Sequence, residues 1–166
     1  MGVRKESSTV SAKPLKSATL DGLYDEDFAL WCDETARLLR AGRLSDIDVE
    51  NLVEEMEAMA GNQRREVRSR LRVLLMHLLK WEKQPDKRGR SWVSTIITQR
   101  RELGLLFEQS PSLRRTLTES LGKAYAEAMK DAARETGLPA STFASERRYP
   151  ADQILDDDFW PGPDQR

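Results

Sequence analysis

Apolar residues recur along this chain at intervals of three and four, the spacing that lines one face of an α-helix. The first such run follows Asp25, Glu26 and Asp27, whose charges suit the positive end of a helix dipole, and turns Phe28, Trp31, Cys32, Leu38 and Leu39 inward. Gly42 stops it. Ser45 is positioned to cap a second helix carrying Val49, Leu52, Val53, Met56 and Ala60, with a break expected at Gly61 and Asn62. A third runs from about Gln63 to Lys83 on a stripe of Val67, Leu71, Leu74, Leu78 and Trp81. From Val73 to Leu79 this helix is apolar on nearly every side, which places it at the centre of the domain.

Pro85 ends the third helix, and a polar loop from Gln84 to Arg90 leads to Ser91, the expected cap of a fourth. That helix turns Trp92, Ile96, Leu103 and Phe107 inward and ends before Pro111. A fifth is lined by Leu113, Leu117, Leu121, Tyr125, Ala128, Met129 and Ala132, and Gly137 with Leu138 and Pro139 gives it a stop. A short turn opens at Pro150 and includes Ile154 and Leu155, with Phe159 and Trp160 docking the tail. No internal repeat and no strand-like alternation competes with these periods. The pattern predicts an all-α compact bundle of about five main helices, with a central apolar helix and a short C-terminal helical turn.

The second and third helices are expected to form an antiparallel hairpin about Gly61 and Asn62. Residues equidistant from the turn would then face each other, setting Glu57 beside Arg65, Glu54 beside Arg68 and Glu50 beside Arg72. The organisation expected along the 166 residues is a disordered basic tail over residues 1–20, one helical domain over 21–161 and a short tail over 162–166.

Charge narrows the function classes. The formal net charge is -1, so the molecule as a whole has no long-range field for nucleic acid or an anionic membrane. Locally the balance is uneven. Residues 62–101 hold twelve Lys or Arg against three acids, and residues 21–60 hold three against twelve. In the hairpin these excesses would lie side by side and largely cancel, leaving Lys87, Arg88 and Arg90 as the candidate polyanion contact. Cys32 is the only cysteine, which excludes an intramolecular disulfide and any multi-cysteine zinc site and fits a reducing, cytoplasmic compartment. No apolar run approaches the ~18 residues of a membrane span, and the first twenty residues lack the apolar core of a secretory signal.

Two further groups are chemical candidates. His77, the only histidine, sits among Leu74, Leu75, Met76, Leu78 and Leu79, and a buried imidazole beside Glu54 or Glu55 on an adjacent helix would have the parts of a general base. Without a Glu-x-x-His spacing the simpler reading is a core histidine bonded to a carbonyl or carboxylate. Asp156, Asp157 and Asp158 are read as a solvated acidic turn, and Trp31, Trp81 and Trp92 as core. No metal and no cofactor is expected.

Several segments together carry a family likeness: residues Tyr24 to Trp31, the run Glu54-Glu55-Met56-Glu57, the run Leu74 to Trp81, and Ser91-Trp92. Pro111-Ser112-Leu113, Glu135-Thr136-Gly137-Leu138 and Ile154 to Phe159 complete it. Over about residues 21 to 161 the chain resembles domain of unknown function family 29, a group of small bacterial helical proteins. The resemblance implies an all-helical protein and brings no activity with it. Where the family pattern has Cys-Pro before the last short helix this chain has Tyr149-Pro150, so no role for a cysteine there follows. The expected function is a non-enzymatic helical module that binds a protein partner or self-associates. The alternatives are a nucleic-acid-associated protein using residues 87–90 and, third, a hydrolase built on His77 and a carboxylate.

Overall fold

The computed structural model describes residues 20–144 and 149–162. Residues 1–19, most of the expected disordered tail, and residues 163–166 lie outside them. Among the described residues six α-helices follow one another: α1 (Leu20–Glu26), α2 (Phe28–Arg40), α3 (Val49–Lys83), α4 (Arg90–Gln109), α5 (Leu113–Thr136) and α6 (Ala151–Leu155). Single turns of 3-10 helix occupy Leu44–Asp46, Pro85–Lys87 and Ala140–Phe143, and no strand occurs among the described residues. The fold class is therefore all-α.

Local chemistry accounts for most boundaries. Asp27 separates α1 from α2 and caps the latter, its carboxylate accepting from the Leu30 N–H at 3.0 Å. Gly42 and Gly137 take φ values of 69° and 71°, the left-handed conformation that closes a helix at least cost without a Cβ. Two expected caps are displaced. Ser45 falls inside a 3-10 turn while Asp48 accepts from the Asn51 N–H at 3.2 Å, and Ser91 lies within α4, whose N-cap is Gly89.

The main correction concerns Gly61 and Asn62. They do not break the chain: α3 is one helix of 35 residues, and the antiparallel hairpin is absent. Consequently the pairs Glu57 with Arg65, Glu54 with Arg68 and Glu50 with Arg72 do not form. Arg65 instead donates to Asn62, one turn back, and Arg72 to Asp131 on α5. The reason is energetic. A helical Gly costs about 1 kcal/mol relative to Ala and Asn somewhat less. A break would give up several i to i−4 hydrogen bonds and require a second nucleation. Gly61→Ala should therefore stabilise the protein by about 0.5–1 kcal/mol in urea unfolding, since an added Cβ would meet only the far end of Arg65 at 3.4 Å. Destabilisation by this substitution would mean that the backbone turns at Gly61 after all.

The chain divides into two compact units, one reaching Glu57 and the other starting at Ala58, and α3 contributes to both. In the N-terminal unit Leu23, Trp31, Thr35 and Leu38 are buried, and the Tyr24 hydroxyl donates to Glu55 at 2.7 Å. The C-terminal unit has the larger core. Val67, Leu71, Leu74, Leu75, Leu78 and Leu79 of α3 meet Ile96, Leu103 and Phe107 of α4 and Leu117, Tyr125, Ala128 and Ala132 of α5. Phe143 and Ile154 close it from the C-terminal segment. The C-terminal half of α3 is central here, as its all-round apolar character predicts.

Candidate functional site

His77 occupies that central stretch but is partly buried rather than buried. Its Nδ1 lies 2.9 Å from the Val73 carbonyl, so this nitrogen carries the proton and donates one turn back along its own helix. Burial is the main cause that holds its pKa below the usual 6.5, opposed by the Val73 hydrogen bond. Glu54 and Glu55 are not on an adjacent helix; they belong to α3 itself, more than twenty residues earlier, and Glu55 is bonded to Tyr24. Two charges act on the ring from outside its own turn, Lys80 disfavouring the imidazolium and Glu135 favouring it, and these two are paired with each other, the Lys80 ammonium donating to Glu135 Oε2 at 2.6 Å. No group of three His, Cys, Asp or Glu side chains among the described residues is placed to hold a metal ion.

A lowered histidine pKa sets the sign of a pH effect. The unfolded chain takes up a proton near pH 6.5, before the folded one does, so this contribution to stability falls as pH drops below that value. His77→Gln should remove that acid-side decline. Unfolding free energies compared at pH 7.5 and pH 5 test it, and an identical slope in both proteins would remove His77 from the account.

The basic loop divides. Lys87, Arg88 and Arg90 are all exposed, but Arg88 is engaged: its Nε donates to the Trp81 carbonyl at 2.9 Å and its guanidinium sits 4.9 Å from the Trp81 ring centre. Arg90 borders a shallow cleft whose walls include Trp81, Val93 and Ile97, so that cleft is mostly apolar. Trp81 also meets Trp160, with ring centres 4.8 Å apart, and Trp92 lies under the Lys80 ammonium at 4.6 Å. Neither tryptophan is offered as an open platform for bases. At the acidic turn, Asp156 accepts from the Asp158 N–H at 3.0 Å.

The loss of the hairpin changes the status of the arginines on α3. Arg64 and Arg68 have no ion-pair partner among the described residues, and they line a groove of about 430 Å³ between α3 and the start of α5. Ser110, Ser112, Thr116 and Ser120 contribute hydroxyls to it, and Arg115, paired with Glu119 at 2.6 Å, borders it. The expected hairpin would neutralise Arg64 and Arg68 by laying the acidic residues of 21–60 against them.

The other unexpected surface belongs to the N-terminal unit. Val49, Val53 and Met56, assigned to the interior by their spacing, are 58%, 51% and 59% exposed. Phe28, Cys32 and Leu39 of α2, also expected to face inward, are exposed as well. Each helix has a second apolar stripe beyond the one it buries, and periodicity cannot distinguish a stripe that has a neighbour from one that has none. The unit is acidic around it. The Tyr24 phenol is pushed up to about 12, first by its hydrogen bond to Glu55, then by desolvation and by the charges of Glu55, Glu54 and Asp25.

Comparison with known proteins adds one finding. The family model described as Domain of unknown function DUF29 matches residues 23–160. No curated protein and no solved structure matches the chain.

Proposed function

We propose that this chain, which belongs to the family described as Domain of unknown function DUF29, is a protein-interaction module working through the apolar face of its N-terminal unit. The observation that carries the reading is the exposure of Val49, Val53 and Met56 at helical spacing on α3. A monomer seldom leaves a contiguous apolar patch of this kind uncovered unless something binds it. Moving each such side chain from half exposed to buried contributes on the order of 1 kcal/mol, so a handful suffice for a specific if moderate affinity. The single exposed Cys32 fits a reducing, cytoplasmic setting.

Photo-crosslinking in living cells tests this. A benzophenone side chain introduced at Val53 should give covalent protein adducts, and the same group at Glu119, exposed on α5, should give few. Adding Met56→Asp to the Val53 probe should remove most of the adduct. A Val53 probe that captures no protein would overturn the reading.

A second reading has its own observation: the two arginines without ion-pair partners among the described residues, in a groove rich in hydroxyl groups. This favours a polyanion contact at Arg64 and Arg68 over the loop at residues 87–90. Titration of DNA and RNA at low salt decides it. Arg64→Ala with Arg68→Ala should weaken binding more than Lys87→Ala with Arg90→Ala, and no binding by the parent protein would dispose of this reading.

A further inference from the structure

We propose that the apolar face of the N-terminal unit docks an amphipathic helix of another protein whose polar side is rich in lysine and arginine. This rests on the interaction reading above and names its partner class.

The face is built from two stripes. On α2, Trp31, Thr35 and Leu38 point into the unit, while Phe28, Cys32 and Leu39 lie roughly 60–100° further round the helix at 100° per residue. On α3, Glu55 marks the packed side through its bond to Tyr24, and Val49, Val53 and Met56 lie roughly 100–160° further round. Both rotations have the same sense, each viewed from its own N-terminus. The connectivity points to an antiparallel pair: Tyr24 of α1, whose ring meets Trp31 of α2 edge-on at 5.1 Å, donates to Glu55 in the second turn of α3, while residues 41–48 link the far end of α2 at Arg40 to the start of α3 at Val49. In an antiparallel pair, equal-sense rotations bring both stripes to the same side. The result is one uncharged surface across two helices, the shape of a seat for a third.

What borders the seat selects its occupant. Glu50, Glu54 and Glu57 each follow an apolar member of the α3 stripe by one residue and repeat its spacing, forming a row of carboxylates alongside. All three are exposed and have no ion-pair partner among the described residues. Residues 21–57 as a whole hold twelve acids against three arginines, and two of those, Arg37 and Arg43, are engaged by Glu34 and Asp46. A helix lying on the stripe would set its polar flank against this row, where cations at helical spacing are favoured and carboxylates are repelled. A second copy meeting the first face to face would instead oppose two acidic units.

The test uses the full-length chain and three synthetic peptides. The first repeats the heptad Leu-Lys-Lys-Leu-Leu-Lys-Leu, the second has Glu for every Lys, and the third shuffles the first so that no helical face forms. Binding is read by titration calorimetry and by maleimide labelling of Cys32, which reports from the face itself. The Leu/Lys peptide should bind, more weakly as salt rises, and should slow Cys32 labelling by about tenfold at saturation. Val53→Ser with Met56→Ser should weaken it by about tenfold, and Glu50→Gln, Glu54→Gln and Glu57→Gln together should flatten the salt dependence.

Equal binding of the shuffled or the Glu peptide, or undiminished labelling of Cys32, would overturn the proposal. So would sedimentation showing a dimer that the Val53 and Met56 changes dissolve, which assigns the face to a second copy. Tighter peptide binding after Lys13→Glu and Lys16→Glu would assign it to the chain's own leading segment and also overturn the proposal. If the Val53 probe captures a protein in cells while the Leu/Lys peptide does not bind, the basic-helix inference falls and the interaction reading stands; if neither occurs, both fall.

Discussion

Arg100→Ala should cost about 3 kcal/mol or more of stability and release the C-terminal segment from the C-terminal unit. Arg100 is 3% exposed, which for arginine requires compensation, and its guanidinium supplies it by spanning three carbonyls. Nε donates to Ile154 at 2.9 Å, one terminal nitrogen to Asp157 at 3.2 Å and the other to Phe159 at 2.6 Å, with the Trp160 ring 5.5 Å from its centre. Hydrogen bonds from a charged donor contribute about 1.5–3 kcal/mol each, though not additively, and truncation also leaves buried carbonyls unpaired. Arg100→Lys should recover only part of the loss, because an ammonium donates from one point and cannot bridge three acceptors. Urea unfolding gives the magnitude, and hydrogen exchange gives the location. The Ile154 and Phe159 amides, bonded to Pro150 and Asp156, should exchange faster in Arg100→Ala while α3 amides around Leu75 keep their relative protection. Uniform loss across the unit would mean that Arg100 serves the whole core rather than this clamp.

Glu135→Ala should destabilise the protein by about 2 kcal/mol, whereas Lys80→Met should cost under about 1 kcal/mol. The asymmetry follows from burial. The Lys80 side chain is 7% exposed and Glu135 is 45% exposed, so the cation is the desolvated partner. Removing Glu135 leaves a buried ammonium over the face of Trp92 with no ion-pair partner among the described residues, at the lower end of the usual penalty because water can reach the vacated site. Methionine in place of Lys80 retains the apolar stem contacts and leaves an exposed carboxylate that water solvates. The double variant should match Lys80→Met alone, and chemical denaturation of all three measures the coupling. A harmless Glu135→Ala would mean that Lys80 reaches solvent by another route.

Neither of these interactions could be read from the sequence. Arg100 and Lys80 stood there only as two members of a basic stretch. The spacing did place the hydrophobic partners correctly: Leu71, Leu74 and Leu78, Ile96 and Leu103, and Leu117 and Tyr125 are core as their periods require. The docking of Trp160 and the stop at Gly137 were legible for equally local reasons. The candidate sites were less so. His77 is committed to its own helix, Arg88 is held by Trp81, and Val49, Val53 and Met56 are exposed although their spacing is that of an interior stripe.

Sequence by itself determined the helical class, most helix ends and the core of the C-terminal unit, because each depends on propensity, capping and periodicity over a few neighbouring residues. Tertiary structure decided two matters that the spacing left open. Whether Gly61 and Asn62 end a helix depends on a balance of about 1–2 kcal/mol against hydrogen bonds that only the folded chain makes. Whether Val49, Val53 and Met56 are covered depends on which helix, if any, lies over them. Periodicity specifies that a helix has an apolar face; only the arrangement of its neighbours specifies whether that face is filled from within the chain or left for another molecule.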